Sequence, residues 1–153
     1  MTDRSAVHQS AVYSVMRRLR RRGHRVQRIP HDAGGYSILV DDQIRVAVRG
    51  ARVVMRRHRV TFNGKQYHYR YRVHAWGFHA HGVRRCLPDI WCLVPAGRPA
   101  ATLVIPGAVV GPTRRNVALL LDVGESRRRP SRWRQYVGCW ELVGPVGRQR
   151  RAA

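Results

Sequence analysis

The dipeptide Asn63-Gly64 constrains this chain's folding more than any other feature. A two-residue hairpin turn needs positive φ at both central positions, and Asn followed by Gly meets that need at least cost. Such a turn also fixes the register of its flanks. Residues 51–76 therefore read as one long β-hairpin in which Phe62 faces Lys65 and every further pair follows. Side chains alternate between faces along a strand. One face then carries Val54, Val60, Phe62, Tyr67, Tyr69, Tyr71 and Val73. The other sets Arg57 and Arg59 against His68, Arg70 and Arg72. Arg57 falls opposite Arg70. Like charges directly opposed across strands are unfavourable, so that pair invites an anion between its members. A solvated edge hairpin, charged to resist aggregation, would show the same pattern. The tyrosine row resembles a stacking platform for single strands, although packing against a core is the commoner use of such a row.

The rest of the chain is punctuated clearly. Val12, Val15, Met16 and Leu19 recur at helical spacing and predict an amphipathic helix over residues 5–22. Gly23 sits where a left-handed residue ends a helix. The helix closes on Arg17, Arg18, Arg20, Arg21 and Arg22. The helix dipole favours cations there, but five in six positions exceeds what a cap needs. Strands are predicted at residues 24–29, 36–40, 43–48, 87–94, 101–105 and 117–122, with Asp41-Asp42 as turn chemistry between two of them. Residues 78–85 read as irregular and 125–131 as a basic turn. Trp133 and Trp140 read as apolar anchors for the C-terminal part. The organisation is one domain over residues 1–142, then a basic tail over 143–153 that is expected to fray. The fold class is α/β, a mixed sheet with an N-terminal helix and a long hairpin.

Composition bears on partners. Thirty Lys+Arg face eight Asp+Glu, a formal net charge of +22. Only one of the thirty is a lysine, Lys65, and a GC-rich genome explains that choice of Arg over Lys. It does not explain the shortage of acids. Such a balance points to a polyanion, and nucleic acid is the first expectation, DNA before RNA. Cys86, Cys92 and Cys139 are odd in number and widely spaced, which fits a reducing compartment. No signal-peptide core or membrane-length apolar run is present. The expected location is cytoplasm, nucleoid or a virion, without secretion.

Three segments in order carry a resemblance: LRRRGHRV, YSILVDDQIRVAVRGAR, and PDIWCLV followed by LVIP and SRWRQYVGCWELV. Together they resemble the PD-(D/E)xK nucleases, restriction-endonuclease-like proteins that include Holliday-junction-resolvase-like enzymes and some intron-encoded endonucleases. The resemblance implies a restriction-endonuclease-like sheet, allows a homodimer, and implies Mg²⁺ held by an Asp on one strand and a Glu on the next, with a Lys two residues on. A hard cation needs carboxylate oxygens to activate water and stabilise the leaving oxygen. In this chain those positions fall on Ser37, Ala47 and Arg49. Residues 9–12, where relatives often place a further Glu, hold no acid. The resemblance therefore implies a domain that holds nucleic acid without cutting it, with no cofactor. Its phosphate-holding residues would be Arg45 and Arg49 beside the lost site, the helix-end arginines, and Arg57, Arg59, Arg70 and Arg72.

Two other classes remain open. A rearranged metal-dependent endonuclease would draw Mg²⁺ ligands from Asp32, Asp41 and Asp89. A basic structural component of a virion, nucleoid or ribonucleoprotein would need no site at all. His79, His81, Cys86 and Cys92 match no common zinc spacing. Neither GxxxxGK[ST] nor GxGxxG occurs.

Overall fold

A computed structural model describes residues 3–30, 35–79, 88–110, 116–122 and 132–144. It opens on helix α1 (Asp3–Arg21), whose apolar stripe buries Val12, Val15, Met16 and Leu19. Truncating a fully buried leucine such as Leu19 costs roughly 2–5 kcal/mol, so this stripe holds the helix down. The end of α1 is a paired cap. Gly23 is left-handed at φ 86. The His24 amide reaches the Leu19 carbonyl at 3.1 Å, and the Gly23 amide reaches Arg20 at 2.9 Å.

Strands β1 (Val26–Arg28), β2 (Ile38–Val40), β3 (Ile44–Ala51), β6 (Ile90–Pro95) and β7 (Leu103–Pro106) form a five-stranded mixed sheet in the order β1-β2-β3-β6-β7. β3 and β6 run parallel, and the other neighbours run antiparallel. Alternation sorts the sheet into two faces. Ile38, Val40, Val46, Val48, Ile90, Cys92 and Val104 share one core with α1. Leu93, Leu103, Ile105 and Ala51 build a second core on the reverse face with Trp76 and Trp133. Gly50 of β3 lies under α1: a Cβ there would sit 2.8 Å from the Val7 carbonyl oxygen.

The long hairpin is β4 (Val53–Phe62) and β5 (Lys65–His79), in the register the turn dictates, with Phe62 facing Lys65 and Arg57 facing Arg70. It does not join the main sheet. β8 (Asn116–Asp122) pairs with the base of β5, from Val73 to His79, and completes a separate three-stranded sheet.

Several predicted strands are shorter or shifted. His24 and Arg25 are taken up by the helix cap and the turn beside it, so β1 starts at Val26. β3 runs on to Ala51, because β6 pairs with it that far. β5 runs on past Trp76 to His79 and takes in Phe78 and His79, predicted as irregular. A short helix, α2 (Gly107–Val110), follows β7. The C-terminal part forms two 3-10 turns, Arg132–Tyr136 and Trp140–Val143. They straddle the β7 edge, so Trp133 enters one core and Trp140 the other. The basic turn at 125–131, Asp32, His81, Cys86 and the tail from residue 145 lie outside the described residues.

Candidate nucleic-acid interface

Ser37 and Ala47, where the resemblance would place metal ligands, lie in the middle of the main sheet. The Ser37 amide donates to the Val46 carbonyl at 2.9 Å, and continuing the β2–β3 register by one residue sets Ser37 beside Ala47. On the other side Ala47 pairs with Trp91 of β6. Ser37 is buried, and its Oγ accepts the Val48 amide at 3.4 Å. Ala47 is fully buried and has no donor atom. The Arg49 guanidinium lies 5.7 Å from the Trp91 ring centroid, and its Nη1 donates to the Val48 carbonyl. A magnesium ion needs several oxygen ligands in an open octahedron. A buried hydroxyl, a methyl group and a guanidinium do not supply them, so these residues do not fit the metal.

Arg45 does not offer the free positive charge expected of it here. It clasps Asp89, with Nε to Oδ2 and Nη2 to Oδ1 both at 3.1 Å, while its amide donates to Oδ2 at 2.8 Å. The Arg45 hydrogen bond outweighs partial burial and holds the Asp89 carboxyl below its ordinary value. Asp41 is engaged as well. Burial alone would raise its pKa, but hydrogen bonds from His24 Nδ1 at 2.7 Å and the Arg25 amide at 2.9 Å hold it down. Each carboxylate thus has its own cationic or imidazole partner. Among the described residues no three His, Cys, Asp or Glu side chains gather as a metal cluster. Cys92 is fully buried and its thiol is pushed up to about 12, which leaves it a packing residue.

The hairpin differs in kind from this closed centre. Among the described residues no third strand accompanies it beyond Val73, and the eight pairs from Met55–Arg72 to Phe62–Lys65 form a two-stranded ribbon. At about 3.4 Å per residue it projects ~25 Å. Arg56, Arg57, Arg59, Arg70 and Lys65 are exposed on it, as is Arg72, and residues 43–88 contain no acid at all. Tyr67 and Tyr69 are 41% and 50% exposed, and Phe62 is 64% exposed. Tyr67 and Tyr69 therefore do not pack on the core, contrary to the commoner use of such rows, whereas Tyr71 is half-buried.

What anchors the ribbon was not read from the sequence. Beyond Arg72, the basic face of β5 continues through His74 and Trp76. His74 is completely buried, with Nδ1 3.0 Å from the Ala51 carbonyl oxygen; burial holds its pKa below the ordinary value. Trp76 Nε1 donates to the Arg49 carbonyl at 3.1 Å. Two side chains thus fasten β5 to the far end of β3. A histidine and a tryptophan two residues apart, at the point where the charge alternation stops, were the available signal.

The helix-end arginines stand elsewhere. Val7, in the first half of α1, contacts Gly50 near the end of β3, whereas His24, after α1, binds Asp41 before β3 begins. The exposed Arg17, Arg18, Arg20, Arg21 and Arg22 are therefore at the opposite end of β3 from the ribbon. Arg18 lies 6.0 Å from the Trp140 ring centroid. The predicted binding residues form two patches rather than one.

A helix packed on a five-stranded mixed sheet, with an antiparallel hairpin beside it, is a nuclease-like α/β fold. A bacterial homing endonuclease, I-Ssp6803I, shares it: TM-score 0.62 over 93% of each chain, at 16% sequence identity. No protein-family model matches the chain, and no curated protein does either.

Proposed function

We propose that this chain binds DNA as a degenerate PD-(D/E)xK-like domain, through phosphate contacts made chiefly by the ribbon, and that it does not hydrolyse the strand. The observation that carries this reading is the ribbon itself, six cations and no acid on two strands exposed along their length. Each phosphate neutralised releases counterions, which gives binding its free energy and its salt dependence. Contacts of this kind hold DNA with little base readout. The nuclease-like fold supports DNA as the partner, and the oxygen-poor centre at Ser37 and Ala47 supports binding without cleavage.

The test is a salt titration against labelled duplex, branched and single-stranded DNA and RNA. A steep linear fall of log K with log salt is expected on DNA, with no Mg²⁺- or Mn²⁺-dependent nicking. Replacing Arg57 and Arg70 by Gln should weaken binding to every sequence alike and flatten the salt slope by about 1 for each phosphate no longer neutralised. Absence of binding near physiological salt overturns the reading.

A further inference from the structure

We propose that the ribbon has a second binding face, on which Tyr67 and Tyr69 stack with unpaired bases of single-stranded DNA. This rests on the DNA-binding reading above and assigns a ligand to the face opposite Arg57 and Arg70.

Neighbouring positions on one face of a strand are about 6.8 Å apart along it, two residues of rise. Bases in a strand stack at about 3.4 Å. Two tyrosine rings at that spacing leave room for one base between them, with further bases on their outer faces. Paired bases present only their edges to a protein in the grooves, whereas unpaired bases offer their planes. The ring row is therefore suited to a single strand. Its surroundings favour a polyanion. Val60, His58 and Arg56 lie directly across from Tyr67, Tyr69 and Tyr71, and Lys65 pairs with Phe62 at the tip. Neither strand of the ribbon carries an acid, and Asp122 stands across from Val73 only at its base. A second copy of the chain is the poorer occupant, because two ribbons of six cations each would face one another. Among the described residues, Tyr67 and Tyr69 are exposed and lie outside both apolar cores.

The test compares an oligo(dT) strand of about fifteen nucleotides with a mixed-sequence duplex, by anisotropy across a range of salt. Stacking releases no counterions, so it differs from phosphate binding in its salt signature. Replacing Tyr67 and Tyr69 together by Ala should weaken oligo(dT) binding by on the order of a hundredfold, about tenfold for each ring. Duplex affinity should stay within about twofold, and the salt slope should not change. The Tyr67→Phe, Tyr69→Phe double variant keeps both rings and should bind oligo(dT) as the parent does. An unaltered thermal melt of each variant shows that the fold is retained. The inference is overturned if the alanine variant binds oligo(dT) normally, weakens equally on duplex, or shows a flatter salt slope along with weaker binding. It then fails alone, and duplex binding still supports the ribbon reading. If the parent binds neither probe near physiological salt, both fall together.

Discussion

Asp41 shows how much one side chain can settle. Its φ is 51, in the left-handed region where Asp and Asn are the best tolerated residues after Gly. Its carboxylate also caps the helix-to-strand crossing by accepting from His24 and Arg25. Asp41→Ala should cost about 1–3 kcal/mol in urea denaturation, because it leaves the buried His24 ring without its acceptor. Asp41→Asn, which keeps the conformation and one acceptor, should cost less. The pH dependence follows from the same bonds. Asp41 and Asp89 both ionise more readily in the folded chain than at the ordinary value of 3.8. Their contribution is fully present above that value and disappears as pH falls through the lower folded values. The Tm should therefore drop below about pH 4, and less steeply in an Asp41→Asn, Asp89→Asn double variant. Asp89 and Arg45 are over a third exposed, so this pair contributes at most about 1 kcal/mol. Ala47 makes the opposite point. Placing an acid there by Ala47→Glu would bury a carboxylate beside Trp91, and unfolding free energy should fall by about 3 kcal/mol or more.

At the scale of elements, two glycines hold the ribbon and the helix for different reasons. Gly64 has φ 72, and a Cβ there would meet nothing within 4 Å. Gly64→Ala should cost about 1–2 kcal/mol of backbone strain alone. Gly50 is a matter of space, since a Cβ would press on the Val7 carbonyl. Gly50→Ala should shift α1 and cost about 1–3 kcal/mol. Melting curves of the two variants, alongside amide exchange in α1, separate these causes: only Gly50→Ala should loosen the helix. The turn, the ribbon register and the helix stripe were legible in the sequence because each depends on near neighbours: Asn63 beside Gly64, Val12 beside Val15 and Leu19. The sheet assignment was not. β8 sits beside β5 although 36 residues separate His79 from Asn116, and the strand pattern 117–122 is equally compatible with either sheet.

For the whole molecule, the arrangement of charge matters more than its amount. The helix-end arginines and the ribbon lie at opposite ends of β3, whose eight residues span ~23 Å. A duplex of about eight base pairs, ~27 Å long, can cover the ribbon without reaching the helix end. Replacing Arg17, Arg21 and Arg22 by Gln should then weaken binding to a long duplex and leave binding to the short one nearly unchanged. Equal weakening on both lengths would show the two patches acting as one surface.

The sequence by itself determined the local elements, the excess of positive charge and the residue types at Ser37, Ala47 and Arg49, because all three are written in neighbouring residues or in composition. Only the tertiary structure decided that Arg45 is clasped by Asp89, that Trp91 lies beside Ala47, and that Tyr67 and Tyr69 stand clear of the core. Those outcomes depend on which strand lies beside β3 and on what covers the ribbon. Burial and pairing are properties of distant segments brought together, and no periodicity within either segment records them.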